Sequence, residues 1–459
     1  MMKLGNEAFI SQTEQLVRQQ NWTELREILI CLEPADIAAV LADPSHDWLL
    51  LLYRLLPKEL AAETFVEMDA EEQQRLIYAF SDTELKEILQ EMYVDDTVDM
   101  IEEMPASVVK RILKHTDPEV RKIVNEILKY PEDSAGSVMT TEFVDLKRDM
   151  TVAEALKRIR RTGVDKETIN ICYVVDPYRH LLGLVSIRTL LLAEEDERVE
   201  HIMETNVVSV TTLDDKEEVA QALSKYDFLA IPVVDKERRL VGIVTVDDAM
   251  DVLEEEVTED IEKMAAILPS DKPYLKTSTL ETFRARIPWL LLLMISATFT
   301  GQIIARFENA LAAATVLTAY IPMLMDTGGN CGSQASVTVI RGISLNEIDF
   351  SDLFRVIWKE VRVAVACGVV LAGANFVKFM LVDRMLFHND MVTISVALVV
   401  CCTMVCTVLC AKIVGCTLPL LAKKMGFDPA VMASPFITTI VDAISLLIYF
   451  RFASLILGI

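Results

Sequence analysis

Five long apolar stretches in the second half of the chain restrict its fold more than any other feature. They lie within residues 287–305, 309–340, 363–382, 391–421 and 430–457. About 20 apolar residues in a helix cross the hydrocarbon core of a bilayer, so each stretch is long enough to do so. We therefore predict five transmembrane helices in residues 284–459. We also expect a break or strong bend in the second stretch, where Gly328, Gly329 and Gly332 cluster.

Charge is segregated along the chain in the same way. From residue 284 onward there are 10 acidic and 13 basic residues, which leaves 59 acidic and 31 basic residues before it. The resulting net charge of −28 in the first 283 residues disfavours nucleic acid and anionic lipid as partners and favours cations. Basic residues flank alternate ends of the apolar stretches. They predict a multi-pass membrane protein with a cytoplasmic N-terminus and an external C-terminus.

Three sequence patterns precede the apolar stretches. Residues 1–130 contain short amphipathic segments separated by proline or acidic caps, which predicts an all-α superhelical domain. Residues 131–202 and 203–250 are two copies of a β-α-β-β-α pattern and resemble a tandem pair of α/β CBS domains. Residues 247–276 form an acidic connecting helix. Its apolar and acidic side chains recur at three- and four-residue spacing on separate faces.

Asp442 is the outstanding polar residue of the apolar half. No other charge occurs in the 13 residues before it, and a charge deep in a span costs about 2.5–3.5 kcal/mol. Pro435 lies seven residues earlier on the same helical face, and it cannot donate to the carbonyl of Val431. A carboxylate beside hydroxyls and free backbone oxygens suits a hard cation such as Mg²⁺, which keeps most of its water ligands. The alternatives are a proton relay and a buried ion pair with Lys412 or Lys378.

Further polar side chains in the second and fifth stretches are expected to line the ion path with Asp442. They are Asn330, Gln334, Ser434, Pro435, Thr438 and Thr439. Asn330 and Gln334 stand four residues apart beside the glycines, where they could hydrate a passing ion. The alternative for these two amides is hydrogen bonding between closely packed helices.

Three short motifs stand out. Residues 327–334 read TGGNCGSQ, residues 438–442 read TTIVD, and residues 244–248 read VTVDD. With them the chain resembles the MgtE family of magnesium channels. The resemblance covers essentially the whole chain in the same domain order. It implies a homodimer in the bacterial inner membrane, with a pore on the two-fold axis between the second and fifth helices. Asp442 then matches the selectivity carboxylate of the family. Asp326 departs from the resemblance, since members often have an uncharged residue there.

The resemblance further implies that cytoplasmic Mg²⁺ closes the pore. The ion would bridge the helical domain, the CBS pair and the acidic helix, which is the plug helix of the family. The matching positions are Glu63, Asp95, Asp99, Asp227, Asp248, Asp251, Glu256, Glu259 and Asp260. Without Mg²⁺ these carboxylates repel one another, and Mg²⁺ neutralises them and favours the compact state. For any one of them, an ordinary solvated helix face is the alternative.

ATP is a further candidate ligand, as a regulatory nucleotide on the CBS pair. In the second copy, residues 242–248 fit ribose and phosphate binding, Thr245 lies within them, and Phe228 offers a platform for adenine. In the first copy Arg188 occupies the equivalent segment. Thr189 stands there where nucleotide sites of this kind commonly have Asp, which argues against ATP at that copy.

The predicted function is Mg²⁺-selective uptake, passive along the electrochemical gradient and closed by cytoplasmic Mg²⁺. Mn²⁺ or Co²⁺ is the alternative cargo, because one hard carboxylate discriminates poorly among hydrated divalent ions. A CBS-regulated anion channel would place its spans before the CBS pair and use basic pore residues. A membrane sensor without conduction would leave Asp442 unexplained. The sequence has no phosphate-binding Walker loop, HExxH pattern or nucleophile elbow, so we do not expect an enzyme.

Overall fold

The fold is taken from a computed structural model of the chain. It describes residues 13, 15–42, 48–270, 272, 274–308, 315–386, 393–432 and 434–458. The chain divides into two compact units, Met1–Leu253 and Glu254–Ile459, and each is described by itself.

The first unit begins with short helices, as the spacing of start signals predicts. In the described residues they are α1 (Trp22–Leu29), α2 (Pro34–Leu41), α3 (Leu49–Tyr53), α4 (Lys58–Val66), α5 (Ala70–Ala79), α6 (Asp82–Glu91), α7 (Val94–Glu103), α8 (Ala106–His115) and α9 (Pro118–Ile127). Ser81 and Glu84 form a reciprocal capping box that starts α6, and Pro34 and Pro118 occupy first helical positions. The apolar faces of the helices share one core, in which Phe65 is fully buried. The all-α prediction for this region is confirmed.

Two three-stranded sheets follow, one for each predicted copy. The first copy comprises β1 (Val144–Lys147), α10 (Val152–Thr162), β2 (Ile171–Val175), β3 (Leu181–Ser186), α11 (Ile187–Leu192) and α12 (Val199–Ile202). The second comprises β4 (Val210–Thr211), α13 (Lys216–Tyr226), β5 (Ala230–Val234), β6 (Leu240–Thr245) and α14 (Val246–Met264). In each sheet the first two strands are parallel and the last two antiparallel, which confirms the β-α-β-β-α pattern. The last helix of the second copy, α14, is the acidic connecting helix, and it ends at Met264 rather than at the predicted residue 276.

The second unit consists of long helices after the end of α14. They are α15 (Thr279–Arg306), α16 (Ile321–Ser344), α17 (Leu353–Lys378), α18 (Ile394–Lys424) and α19 (Ser434–Leu457). A π-helical turn, Phe379–Leu386, extends α17, and a 3₁₀ turn, Pro429–Met432, precedes α19. Among the described residues, four helices are long and apolar enough to cross a membrane, namely α15, α17, α18 and α19 with their adjoining turns. At 24 residues α16 is long enough as well, but its composition is more polar than theirs.

The predicted break at the glycines of the second stretch is wrong. Helix α16 continues without interruption from Ile321 to Ser344, and the irregular segment is the 3₁₀ turn Thr315–Tyr320 before it. Residues 309–314 of the predicted stretch lie outside the described residues. The glycines serve close packing instead, because a methyl group on Gly328 would lie within 2.8 Å of both Thr407 on α18 and Val441 on α19.

Helix α16 therefore packs between α18 and α19 with little space between the backbones. A side chain on Gly332 would meet Ile437 at 2.7 Å, and one on Gly329 would meet Thr438 at 2.9 Å. Gly415 of α18 faces the backbone of Gly332 even more closely. Small residues allow this approach, which brings van der Waals contacts between helices that share no hydrophobic driving force in lipid.

We expect Gly415→Ala to destabilise the second unit, because the added methyl group would overlap the carbonyl oxygen of Gly332. Overpacking of this kind costs about 1–3 kcal/mol. The midpoint of thermal unfolding, followed by size-exclusion chromatography of the detergent-solubilised protein, should fall. Gly373→Ala is the matched control, since a methyl group there has no neighbour within 4 Å. Equal midpoints for the two variants would contradict the packing argument.

Candidate ion pathway and acidic cluster

One face of α16 carries an exposed polar stripe. Its members recur every four residues and are Asp326, Asn330, Gln334 and Thr338, all of them exposed. The opposite face is buried against α18 and α19. Residues four apart follow one side of a helix. A stripe with a carboxylate and two amides is costly against lipid, so it belongs against water or another polar surface.

Asp442 stands on α19 beside this stripe and is half-buried. The two helices run antiparallel, because Gly332, Gly329 and Gly328 meet side chains progressively later along α19. One helical turn beyond the contact between Gly329 and Thr438, Asp326 and Asp442 lie at the same level along the helix pair. Among the charged groups described, the one that acts on the Asp442 carboxylate is Asp326.

The lysines that could have neutralised Asp442 are paired elsewhere. Lys412 Nζ lies 3.2 Å from Glu360 Oε2, and both side chains are buried between α17 and α18. Lys378 Nζ lies 3.8 Å from Asp383 Oδ2. Within the described residues, Asp442 has no ion pair with a basic group, so the alternative of a structural pair with either lysine is wrong.

Pro435 begins α19 rather than interrupting it. The helix starts at Ser434, so the missing N–H of Pro435 falls in the first turn, where it breaks no helical hydrogen bond, and the Val431 carbonyl receives none from it. The hydroxyls of Thr438 and Thr439 donate to the Pro435 carbonyl oxygen at 2.9 and 3.1 Å. Their oxygen lone pairs stay available as acceptors. The Ser434 side chain lies outside the described residues.

The C-terminal end of α14 is anchored within the second unit. Ser344 Oγ donates to Asp260 Oδ2 at 3.1 Å. Lys263 Nζ lies 2.6 Å from Glu259 and 2.7 Å from Asp428, which directly precedes the 3₁₀ turn before α19. Met264 packs against Ile340 of α16 and Ala430. The acidic helix thus ends on α16, which carries the polar stripe, and on the turn that precedes α19, the helix of Asp442.

The pKa values of these anchoring groups reflect their surroundings. Burial raises the pKa of Asp260 and outweighs the hydrogen bond from Ser344. Burial alone would lower the pKa of Lys263, but the hydrogen bonds to Asp428 and Glu259 raise it to about 12. Lys263 is therefore fully charged at physiological pH, and its ion pairs hold α14 in place.

An acidic cluster lies in the first unit and consists of Asp95, Asp96, Glu167 and Asp248. Burial is the largest cause that raises all four pKa values, and the Asp248 charge further raises those of the other three. The pKa of Asp96 rises to about 6 and that of Glu167 to about 7. Asp95 is nearly fully buried, and its Oδ1 has no hydrogen-bond partner. Because these folded-state pKa values are raised, this unit loses stability as pH rises from the ordinary carboxyl pKa of about 4 to the folded-state values of about 6 and about 7, unless a cation is present.

The cluster includes only part of the predicted regulatory set. Of that set, Asp95 on α7 and Asp248 on α14 come together, and Asp251 acts on Asp248 from the next turn. Glu63, Asp99 and Asp227 are exposed side chains on α4, on α7 and at the end of α13. Glu256, Glu259 and Asp260 lie further along α14.

Two members of the cluster, Asp96 and Glu167, were missed by the sequence analysis. Asp96 adjoins Asp95, and Glu167 lies just before β2, in the five residues by which the first CBS copy exceeds the second. That length difference was the available signal for Glu167. No three acidic, histidine or cysteine side chains among the described residues are grouped closely enough to hold an ion directly. Mg²⁺ keeps several waters, which fits binding to fewer protein ligands.

The predicted nucleotide residues are engaged in local contacts. Phe228 stacks on Tyr226 with ring centroids 5.3 Å apart. The Thr245 hydroxyl donates to Asp248 Oδ2, so it already serves the acidic cluster. Arg188 lines a shallow surface pocket on α11 with Thr189, whose backbone N–H donates to the Ser186 hydroxyl.

Comparison with known proteins assigns the family. The family described as "MgtE: Divalent cation transporter" matches residues 321–452, the MgtE intracellular N domain matches 32–133, and CBS domains match 135–196 and 199–255. Two proteins named magnesium transporter MgtE are similar over nearly their whole length. The one from Thermus thermophilus is 37% identical over 97% of both chains. The one from Bacillus subtilis is 32% identical over 96% of this chain and 95% of its own. This chain belongs to the MgtE family.

Two solved structures resemble the N-terminal part of this MgtE chain. The cytosolic domain of the Mg²⁺ channel MgtE in complex with ATP is 38% identical, with a TM-score of 0.51, and the match covers 53% of this chain and 99% of that one. The soluble part of a magnesium transporter is 32% identical, with the same TM-score, and the match covers 55% and 99%. The family assignment and the apolar helices together identify a multi-pass membrane transporter rather than an enzyme.

We expect Mg²⁺ to bind the acidic cluster of this MgtE protein more weakly at pH 6 than at pH 8. Protons compete with Mg²⁺ for carboxylates whose pKa values rise to about 6 and about 7. Hydrogen exchange of peptides from α7 and the start of α14 measures this binding. The Mg²⁺ concentration that gives half-maximal protection should be about tenfold higher at pH 6 than at pH 8. Glu167→Gln should reduce this pH effect, whereas Glu195→Gln, at an exposed position on another segment, should not. A pH-independent midpoint would contradict Mg²⁺ binding at the cluster.

Proposed function

We propose that this chain is a Mg²⁺-selective channel that carries Mg²⁺ into the cell along its electrochemical gradient. The observation that carries the proposal is an intramembrane carboxylate, Asp442, without a basic partner in the described residues and at the level of the polar stripe of α16. Charges within membrane segments mark ion paths when they are not paired. Oxygen ligands from a carboxylate, amides and hydroxyls suit a hydrated hard cation. The names of the two full-length relatives support Mg²⁺ as the cargo.

The pore is proposed to lie on the two-fold axis of a homodimer. Helix α16 serves as the fifth membrane crossing, and its lower apolar content follows from its position beside the water-filled path. The polar stripe is exposed in the single chain, so a second copy facing it would enclose Asn330 and Gln334 around a hydrated ion. The distribution of basic residues supports a cytoplasmic N-terminus and an external C-terminus.

Closure is proposed to follow from Mg²⁺ binding to the acidic cluster in the cytoplasm. Repulsion among Asp95, Asp96, Glu167 and Asp248 opposes the compact arrangement, and Mg²⁺ removes it. The start of α14 would then be held in place, while its end lies on α16 and the turn before α19 through Asp260, Lys263 and Met264. Differential affinity of Mg²⁺ for the compact state is what shifts the equilibrium towards closure.

ATP is proposed as a regulatory ligand of the CBS pair, near Arg188, Phe228 and Thr245. The support is the similar cytosolic domain that was solved with ATP. Thr189 occupies the first copy in place of Asp, which favours the second copy for the nucleotide.

Mg²⁺ uptake into proteoliposomes tests the pore. The wild-type protein should conduct at low Mg²⁺ on the sensor side, and flux should fall as sensor-side Mg²⁺ rises through the millimolar range. Asp442→Asn should lower the flux at least about tenfold, because the half-buried carboxylate of the proposed path is lost. Glu347→Gln, which removes an exposed carboxylate after the end of α16, should conduct normally. Normal flux through Asp442→Asn would rule out this pore assignment, and preferential Mn²⁺ or Co²⁺ flux in the wild type would reassign the cargo.

Lys263→Gln tests the anchoring of α14. Loss of the ion pairs to Asp428 and Glu259 should loosen the end of α14, so the Mg²⁺ concentration for half-closure should rise about threefold to tenfold. Lys272→Gln is the control, because the ion pair between Lys272 and Glu281 lies at the start of α15. Asp428→Asn should reproduce the Lys263→Gln effect, and the double variant should add little to it. Independent, additive effects would show that the pair does not act as a unit.

A further inference from the structure

We infer that Asp326 is a second ion-selecting carboxylate of the path, set level with Asp442 to attract hydrated divalent cations. This inference rests on the proposed function and adds a specificity-determining residue to it. Its basis is the placement of Asp326 on α16, a helix held against α19 by glycine contacts.

The position of Asp326 follows from helix packing. Gly329 contacts Thr438, and Asp326 precedes this glycine by three residues while Asp442 follows the threonine by four. Because the helices are antiparallel, both steps lead one turn in the same direction along the bundle. The electrostatic effect of Asp326 on Asp442 agrees with this placement.

The surroundings of Asp326 favour a role in the path over a structural role. The side chain is exposed and lies in register with Asn330 and Gln334, on the face opposite the buried glycines. No ion pair to Asp326 occurs within the part of the chain that the structure describes. A carboxylate that packed the helices together would instead face α18 or α19, as Glu360 faces Lys412.

Two carboxylates at one level also set the class of ligand. Two like charges without a basic partner repel each other, and a cation between them removes that repulsion. A divalent ion gains twice as much as a monovalent ion from each carboxylate. In the proposed dimer the level would hold four carboxylates, and a hydrated ion would contact them through its water shell.

The test compares the concentration dependence of Mg²⁺ uptake by full-length wild-type and Asp326→Asn proteins in proteoliposomes, with a Mg²⁺-free sensor side. By Coulomb's law in water, each carboxylate at about 6 Å from a divalent ion contributes about a factor of ten. Because the substitution removes one carboxylate from each protomer of the proposed dimer, it should raise the half-saturating Mg²⁺ concentration about a hundredfold. The maximal flux should stay within about twofold, since Asp442 is retained. Asp326→Glu should behave as the wild type, and Glu347→Gln is the charge-matched control outside the stripe.

A second variant separates charge from structure. Asp326→Asn combined with Asn330→Asp moves the carboxylate one turn along the stripe, and it should restore part of the lost Mg²⁺ attraction. A purely structural role for Asp326 would not be rescued in this way. If Asp326→Asn does not assemble, Asp326→Ser removes the same charge with a smaller side chain, and the same comparison applies.

The outcomes distinguish this inference from the proposed function. Uptake that Asp442→Asn abolishes, with an unchanged half-saturating concentration in Asp326→Asn, would overturn the role of Asp326 alone. An equal shift in Glu347→Gln would also overturn it, because any surface charge would then suffice. A wild-type protein without Mg²⁺ uptake would overturn the proposed function itself.

Discussion

The close approach of α16 to α18 and α19 is the constraint on which the proposed ion path depends. Gly328, Gly329 and Gly332 leave room for neighbouring side chains and backbone on one face, and that face is buried without charged groups. The polar residues of α16 are then confined to the opposite face, where they form the stripe. The same contacts fix the register with α19 and thereby set the depth at which Asp442 stands. A bulkier residue at these glycines would alter both.

Both units hold carboxylates that the described protein groups do not neutralise. In the second unit they are Asp326 and Asp442, and in the first they form the cluster around Asp95 and Asp248. By contrast, two lysines of the second unit form ion pairs with acids outside these groups. Lys412 pairs with Glu360, and Lys263 pairs with Glu259 and Asp428. Among the described residues, positive charge thus holds helices together, whereas these carboxylates form no ion pair with a basic group.

Sequence patterns predicted the elements better than their contacts. Caps and periodicity identified the short helices, and the internal duplication identified both CBS copies, because these signals are local. The glycines of α16 were read as a break, since glycine weakens a helix but also permits close packing, and only the neighbours Thr407 and Val441 decide which applies. Glu167 was missed because its meeting with Asp248 depends on how the first CBS copy packs on other elements. The Lys412–Glu360 pair joins residues 52 positions apart and left no local signal.

That buried pair bears on how the protein enters the membrane. Lys412 lies within the fourth apolar stretch, where a charge exposed singly to lipid at the centre of a span costs about 2.5–3.5 kcal/mol, and Glu360 lies just before the third stretch. Together, with the two charges 3.2 Å apart, they present little net charge to the hydrocarbon. Insertion of α17 and α18 together as one helical hairpin would give Lys412 its carboxylate partner at once. The pair thus favours joint insertion of these two helices over insertion one at a time.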